Sequence, residues 1–153
     1  MDPIRKAGFT LFGIKLDKKT TNEGGQSGID CGSLWQKFEK GNYNGRTPNK
    51  LSEEVYAVYY DYEGDHTKPF SYFIGSMVDE NAVLPEGMDF LRVPKNQYSS
   101  VMARGQMPDC IANAWKGIWE STIVRAYSYD FEIYDHRSVD WNNAEVEIFI
   151  SVL

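Results

Sequence analysis

The chain has 153 residues, 16 Lys and Arg against 22 Asp and Glu, a net charge of −6 and 42% apolar residues. That length suits a single domain, 1–153, with a sizeable core. No apolar run nears the ~20 residues that cross a bilayer, no signal-peptide pattern opens the chain, and no basic cluster offers a face to nucleic acid.

From the N-terminus, Phe9 to Leu16 reads as a strand, and a polar, Gly-rich loop runs from Asp17 to Gly28. Between Asp30 and Lys40, Cys31, Leu34, Trp35 and Phe38 share one helical face, with Asp30 the expected N-cap. Gly41 to Lys50 reads as a loop. Glu54 to Tyr62 and Phe70 to Val78 read as strands joined by a turn at Gly64-Asp65.

The second half repeats this order. Asp79 to Asn96 is a linker holding Pro85, Pro94 and a short strand near Phe90 to Val93. Gln97 to Ala103 is a strand, and Pro108 to Ser121 is a helix with Ile111, Trp115, Ile118 and Trp119 on one face. Arg125 to Asp135 and Glu145 to Val152 read as strands. The result is strand–helix–strand–strand, twice, over about 9–79 and 90–153. Asp30-Cys31 and Asp109-Cys110 lie 79 residues apart, Trp35 and Trp115 80 apart, and Tyr72 and Glu147 75 apart. An α+β fold is expected: two such units forming one curved antiparallel sheet with two main helices and a cleft on the pseudo-twofold, where a small molecule would bind.

The 22 aromatic residues and the acidic balance favour a flat cation as ligand. In the last strand, residues 145, 147 and 149 face one way, and Val146, Ile148, Ile150 and Val152 the other. If the first face lines the cleft, Glu147 beside Phe149 supplies the counter-charge. Tyr72, its repeat counterpart, would face the same cleft and reach Glu147 or the ligand. Tyr56, Tyr59, Tyr127 and Phe131 are candidate walls, of which alternation admits only some. Trp115 and Trp119 belong first to a packed helical face and are candidate walls as well.

Cys31 and Cys110 make no disulfide framework, and with His66 and His136 far apart no zinc or haem site is expected. No phosphate loop, dinucleotide fingerprint or nucleophile elbow is present. No cofactor is expected.

Ile111-Ala112-Asn113-Ala114-Trp115-Lys116-Gly117-Ile118-Trp119, Arg125-Ala126-Tyr127, Asp130-Phe131-Glu132-Ile133-Tyr134 and Glu147-Ile148-Phe149-Ile150 follow in an order and spacing that resemble the gyrase-inhibitor-like effector-binding superfamily. Tyr56-Ala57-Val58-Tyr59, Tyr62-Glu63 and Tyr72-Phe73-Ile74-Gly75 extend the likeness, which is nearest to the integron-cassette-associated branch, over about 9–153. The resemblance implies a sensor module standing alone in the cytoplasm. It would bind amphipathic, cationic aromatic compounds around a buried Glu of the last strand, with Ser151 standing where Pro is usual. It allows two further readings. One is hydrolysis of electrophilic small molecules, with Glu147 joined by Glu132 or Tyr72 in acid–base work. The other is a protein-interaction role, with a regulator, DNA gyrase or a second copy as partner. Direct DNA binding and membrane association are not expected.

Overall fold

Both strand–helix–strand–strand units are present in a computed structural model that describes residues 2–153. The first comprises β2 (Phe9–Lys15), α1 (Gln26–Lys40), β3 (Val55–Tyr60) and β4 (Ser71–Val78). The second comprises β6 (Asn96–Gly105), α3 (Asp109–Trp119), β7 (Asp130–Tyr134) and β8 (Ala144–Ser151). Two short strands, β1 (Ile4–Lys6) and β5 (Asp89–Val93), precede the two units, and a single-turn helix, α2 (Tyr43–Arg46), follows α1.

Among the described residues the strands form one eight-stranded antiparallel sheet in the order β1-β6-β8-β7-β3-β4-β2-β5. Exchanging each strand with its counterpart in the other unit reverses this order. The pseudo-twofold therefore passes between β3 and β7, where Ala57 pairs with Glu132. The extra strands cross over: β1 precedes the first unit but pairs with β6 of the second, and β5 precedes the second but pairs with β2 of the first.

That crossing forces the sheet to curl. β1 and β2 lie near opposite ends of the sheet, yet Lys6 and Phe9 are three residues apart and can be at most about 10 Å from each other. The result is a half-barrel. In a flat sheet β2 and β7 would lie about 14 Å apart, whereas the rings of Phe9 and Phe131 are 5.4 Å apart. Residues from seven strands, among them Phe9, Tyr56, Phe73, Tyr98, Phe131 and Phe149, meet inside in one aromatic core. The outer face diverges, and its packing splits in two. α1 covers Ile14, Ala57, Tyr72 and Ile74, while α3 covers Ala103, Val146, Ile148 and Ile150. The backbones of β2 and β4 approach closely where Gly13 faces Gly75: a Cβ on Gly13 would sit 1.9 Å from the Ile74 carbonyl oxygen.

Three local expectations need correction. α1 begins at Gln26, so Asp30 lies inside it; its carboxylate accepts from Thr20 Oγ1 at 2.7 Å and Gln26 Nε2 at 2.9 Å, tying helix to loop. The segment 125–129 is not strand. Tyr127 takes a left-handed φ of 51°, and the polar backbone is answered by the end of β8, through Ala126 N–H to Ser151 O and Ser128 N–H to Ser151 Oγ. α2 stands where a loop was expected over 41–50; four residues are too few to show a helical period. Among the described residues, no helix is long and apolar enough to cross a membrane.

Candidate functional site

The gap between α1 and α3, above β3 and β7, is a cavity of about 1300 Å³. Its floor is set by strand parity. On β7, Phe131 and Ile133 point into the barrel, so Glu132 and Tyr134 point out beneath the helices. On β3 and β4 the same alternation turns Tyr59 and Tyr72 outward while Tyr56, Val58 and Phe73 fill the interior. The helices bring Trp35 and Trp115 down onto these tyrosines, with Trp115 4.8 Å from Tyr59 and Trp35 4.8 Å from Tyr134, between ring centroids.

Glu132 is the charged centre of this floor. It is 1% exposed and accepts three hydrogen bonds: from Tyr134 Oη at 2.6 Å, Tyr59 Oη at 2.7 Å and Trp115 Nε1 at 2.7 Å. A carboxylate buried without such donors would cost several kcal/mol. Burial pushes its pKa up from the ordinary value, and the three donors pull it back in part. Burial likewise holds the Tyr59, Tyr72 and Tyr134 phenols well above their ordinary range, so they remain protonated donors. The Cys31 thiol, also in the lining, is raised by burial and by Glu132, and stays neutral.

A second polar group closes the other end. Arg125, also in the lining, pairs with Asp130 at 2.7 Å, and their side chains are 5% and 0% exposed. Asp130 also accepts from Tyr62 Oη at 2.6 Å and from Ser151 N and Oγ at 2.7 and 2.9 Å. At the mouth, His66 stacks on Trp119 with ring centroids 5.2 Å apart. Five further carboxylates, Glu39, Glu53, Glu54, Asp109 and Asp135, line the wall, which favours entry of a cation.

Of the residues singled out from sequence, Tyr59, Tyr72, Trp115 and Trp119 come together in this lining. Tyr56, Phe131 and Phe149 do not; they are buried in the barrel interior. Tyr127 packs edge-on against Tyr62, outside the lining.

The placement of Glu147 is corrected. It shares the inward parity of Phe149 at the barrel's open end, where it accepts from Ser100 Oγ at 2.8 Å and lies 3.6 Å from Arg137. Its side chain is 26% exposed, and it is neither at the cavity nor near Tyr72. Tyr72 instead accepts from Trp35 Nε1 at 2.8 Å. Superposing Tyr72 on Glu147 slips the two strands by one residue, and a slip of one turns a side chain to the opposite face. The strand face carrying Val146, Ile148 and Ile150 is core, as its apolar run implies, and it packs under α3. Glu132, expected only as an auxiliary acid or base, occupies the central position. Its signal in the sequence is a lone carboxylate between apolar residues in Phe131-Glu132-Ile133, in a strand flanked by others.

Known proteins share this fold. A solved integron cassette protein from the mobile metagenome of Vibrio cholerae is 29% identical, covers 99% of this chain and 95% of its own, and superposes with a TM-score of 0.75. The structure of SAV2435 bound to tetraphenylphosphonium shares the fold, with a TM-score of 0.78 at 18% identity over 100% of this chain and 94% of that one. A putative transcriptional regulator of Bacillus subtilis (strain 168), YobU, is 22% identical over 124 residues, 78% of each chain. The model of the integron-associated effector binding protein family matches residues 4–152. The chain belongs to the integron-associated effector-binding family.

Proposed function

We propose that the protein binds amphipathic, cationic aromatic small molecules in the cavity between α1 and α3, with Glu132 as their counter-charge. The observation that carries this reading is a fully buried carboxylate at the floor of an aromatic cavity. Aromatic faces hold a delocalised cation by apolar area and by their quadrupole. The carboxylate adds a Coulomb attraction that partial desolvation strengthens. Tyr59, Tyr72, Trp115 and Trp119 form the walls; the phenols and indole that surround Glu132 keep it in place for a ligand. The tetraphenylphosphonium bound by SAV2435, a protein of the same fold, supports this class of ligand and provides the first probe.

Titration of the intrinsic Trp fluorescence with tetraphenylphosphonium tests the reading. Glu132→Gln keeps the shape and removes the charge, and should weaken binding at least about tenfold, ~1.4 kcal/mol. Glu147→Gln, on the other face, should leave the affinity within about twofold. Equal affinities for wild type and Glu132→Gln would sink the role given to that residue.

A further inference from the structure

We infer that Val139 and Trp141, on the connection from β7 to β8, form an outer wall of the binding site, and that the ligand is a cation bearing a neutral apolar arm that lies against them. The inference rests on the reading of Glu132 as the counter-charge and assigns the part of the ligand that is not the cation.

Three of the four Trp side chains are anchored. Trp35 and Trp115 donate to Tyr72 and Glu132, and Trp119 stacks on His66. Trp141 instead is 58% exposed, and Val139, two residues before it, is 77% exposed. Single exposed apolar residues are ordinary on a protein surface. These two differ by their place: of the large apolar residues exposed among the described ones, they alone line the cavity. A ligand that covers them takes apolar surface out of water on both partners.

The backbone that carries them is fastened down. Met107 N–H, at the entry to α3, donates to the Trp141 carbonyl at 2.7 Å. Ser138 Oγ donates to the Asp135 carbonyl at 3.0 Å, and the Asp140 carboxylate accepts from Asn142 N–H at 3.0 Å. Val139 and Trp141 are thus held out at the mouth by a built turn.

The course of β7 determines which part of a ligand reaches them. At Asp130 the cavity is closed by the buried pair with Arg125. Past Tyr134 the strand runs out into residues 135–143, whose first residue lies three positions from Glu132, roughly 10 Å. A compact cation held at Glu132 leaves Val139 and Trp141 in water, whereas an arm that continues along the strand covers them. The arm is neutral because its surroundings are already balanced. Asp135, the carboxylate of this segment in the cavity lining, is paired with Arg137 at 2.9 Å, and the exposed faces beyond it are apolar.

Methyltriphenylphosphonium and decyltriphenylphosphonium carry the same cationic centre, and only the second has a long apolar arm. Calorimetric titration of both gives the ratio of their affinities. Trp141→Ala should lower the decyl-to-methyl ratio about tenfold, and Val139→Ser about threefold, in keeping with the apolar area each removes. Both positions are exposed, so the variants should keep the fold, which thermal unfolding checks. Phe90→Ala, which removes an exposed ring on β5 outside the cavity lining, should leave the ratio within about twofold. A ratio that survives Trp141→Ala, whether or not both affinities fall together, overturns the inference. If a second copy of the chain covers this face instead, Trp141→Ala changes the sedimentation of the protein and not the ratio, and the inference is equally overturned. Glu132→Gln separates the two readings: loss of affinity for both compounds in that variant upholds the counter-charge even when the ratio does not respond to Trp141.

Discussion

The two halves of the molecule use the same device on different acceptors. Each main helix lowers a Trp whose indole N–H donates to the sheet: Trp35 to the Tyr72 phenol at 2.8 Å, Trp115 to the Glu132 carboxylate at 2.7 Å. Framework and donor are repeated, and the charge is not. A symmetric pair of carboxylates facing one cavity would repel each other and raise each other's pKa. A phenol on one side and a carboxylate on the other leave one buried carboxylate, Glu132, beneath the two indoles. Duplication supplied the walls; a difference between the copies supplies the polarity.

Removing each indole donor probes that asymmetry. Trp115→Phe deletes a hydrogen bond to a buried charge and should cost about 1.5–3 kcal/mol of unfolding free energy. Trp35→Phe deletes one between neutral groups and should cost about 0.5–1.5 kcal/mol. Chemical denaturation of the two variants measures both, and equal losses would erase the distinction between the halves.

Acidity separates the same two sites with a smaller effect. Burial raises the Glu132 pKa above the ordinary 4.5, so the folded state holds that proton more tightly than the unfolded chain. The stability this confers is fully present below the unfolded value and is lost as pH rises through the folded one. Relative to Glu132→Gln, the wild type should therefore gain stability on acidification. Binding of tetraphenylphosphonium should move the opposite way, falling by up to about tenfold per pH unit once Glu132 protonates. Denaturation and titration across the same pH series check the two signs, and a parallel trend in both would contradict the assignment.

The smallest effect is expected at Tyr72→Phe, which strands the Trp35 N–H. Its cost should be about 1 kcal/mol, with little change in the pH dependence of binding. A marked change there would mean that Tyr72 tunes Glu132 from across the pseudo-twofold.

Much of the framework was readable from the chain alone. Phe9 to Lys15, Val55 to Tyr60 and Ala144 to Ser151 stand out as short, mostly apolar runs because each strand is covered on both sides, by the aromatic interior and by helices. β1 was not readable, since three residues show no period and its identity as a strand comes from pairing with β6. The site was half legible. Tyr59, Tyr72, Trp115 and Trp119 stood out as large aromatics at the right periods. Which face they look onto depends on the curl of the whole sheet, and no local pattern carries that. The face of β8 with only apolar residues suggested core, and the face with two glutamates suggested a cleft. In a half-barrel the inner face is filled by rings and only its rim admits a charge, which is where Glu147 lies. Arg125 was hidden because Arg125 to Asp135 mimics an alternating strand, while its first residues fold back to bring the guanidinium onto Asp130.

The crossing of β1 and β5 joins the halves at three seams, β1–β6, β3–β7 and β5–β2, rather than through one linker. A hinge that opened the cleft by swinging one half from the other would have to break ladder hydrogen bonds at all three. The frame is thereby denied the clamshell motion common in two-lobed binding proteins. Under the proposed function, adjustment to a ligand's outline falls to rotation of Trp and Tyr side chains and to the loops at the mouth, over a floor in which Glu132 is held by three hydrogen bonds.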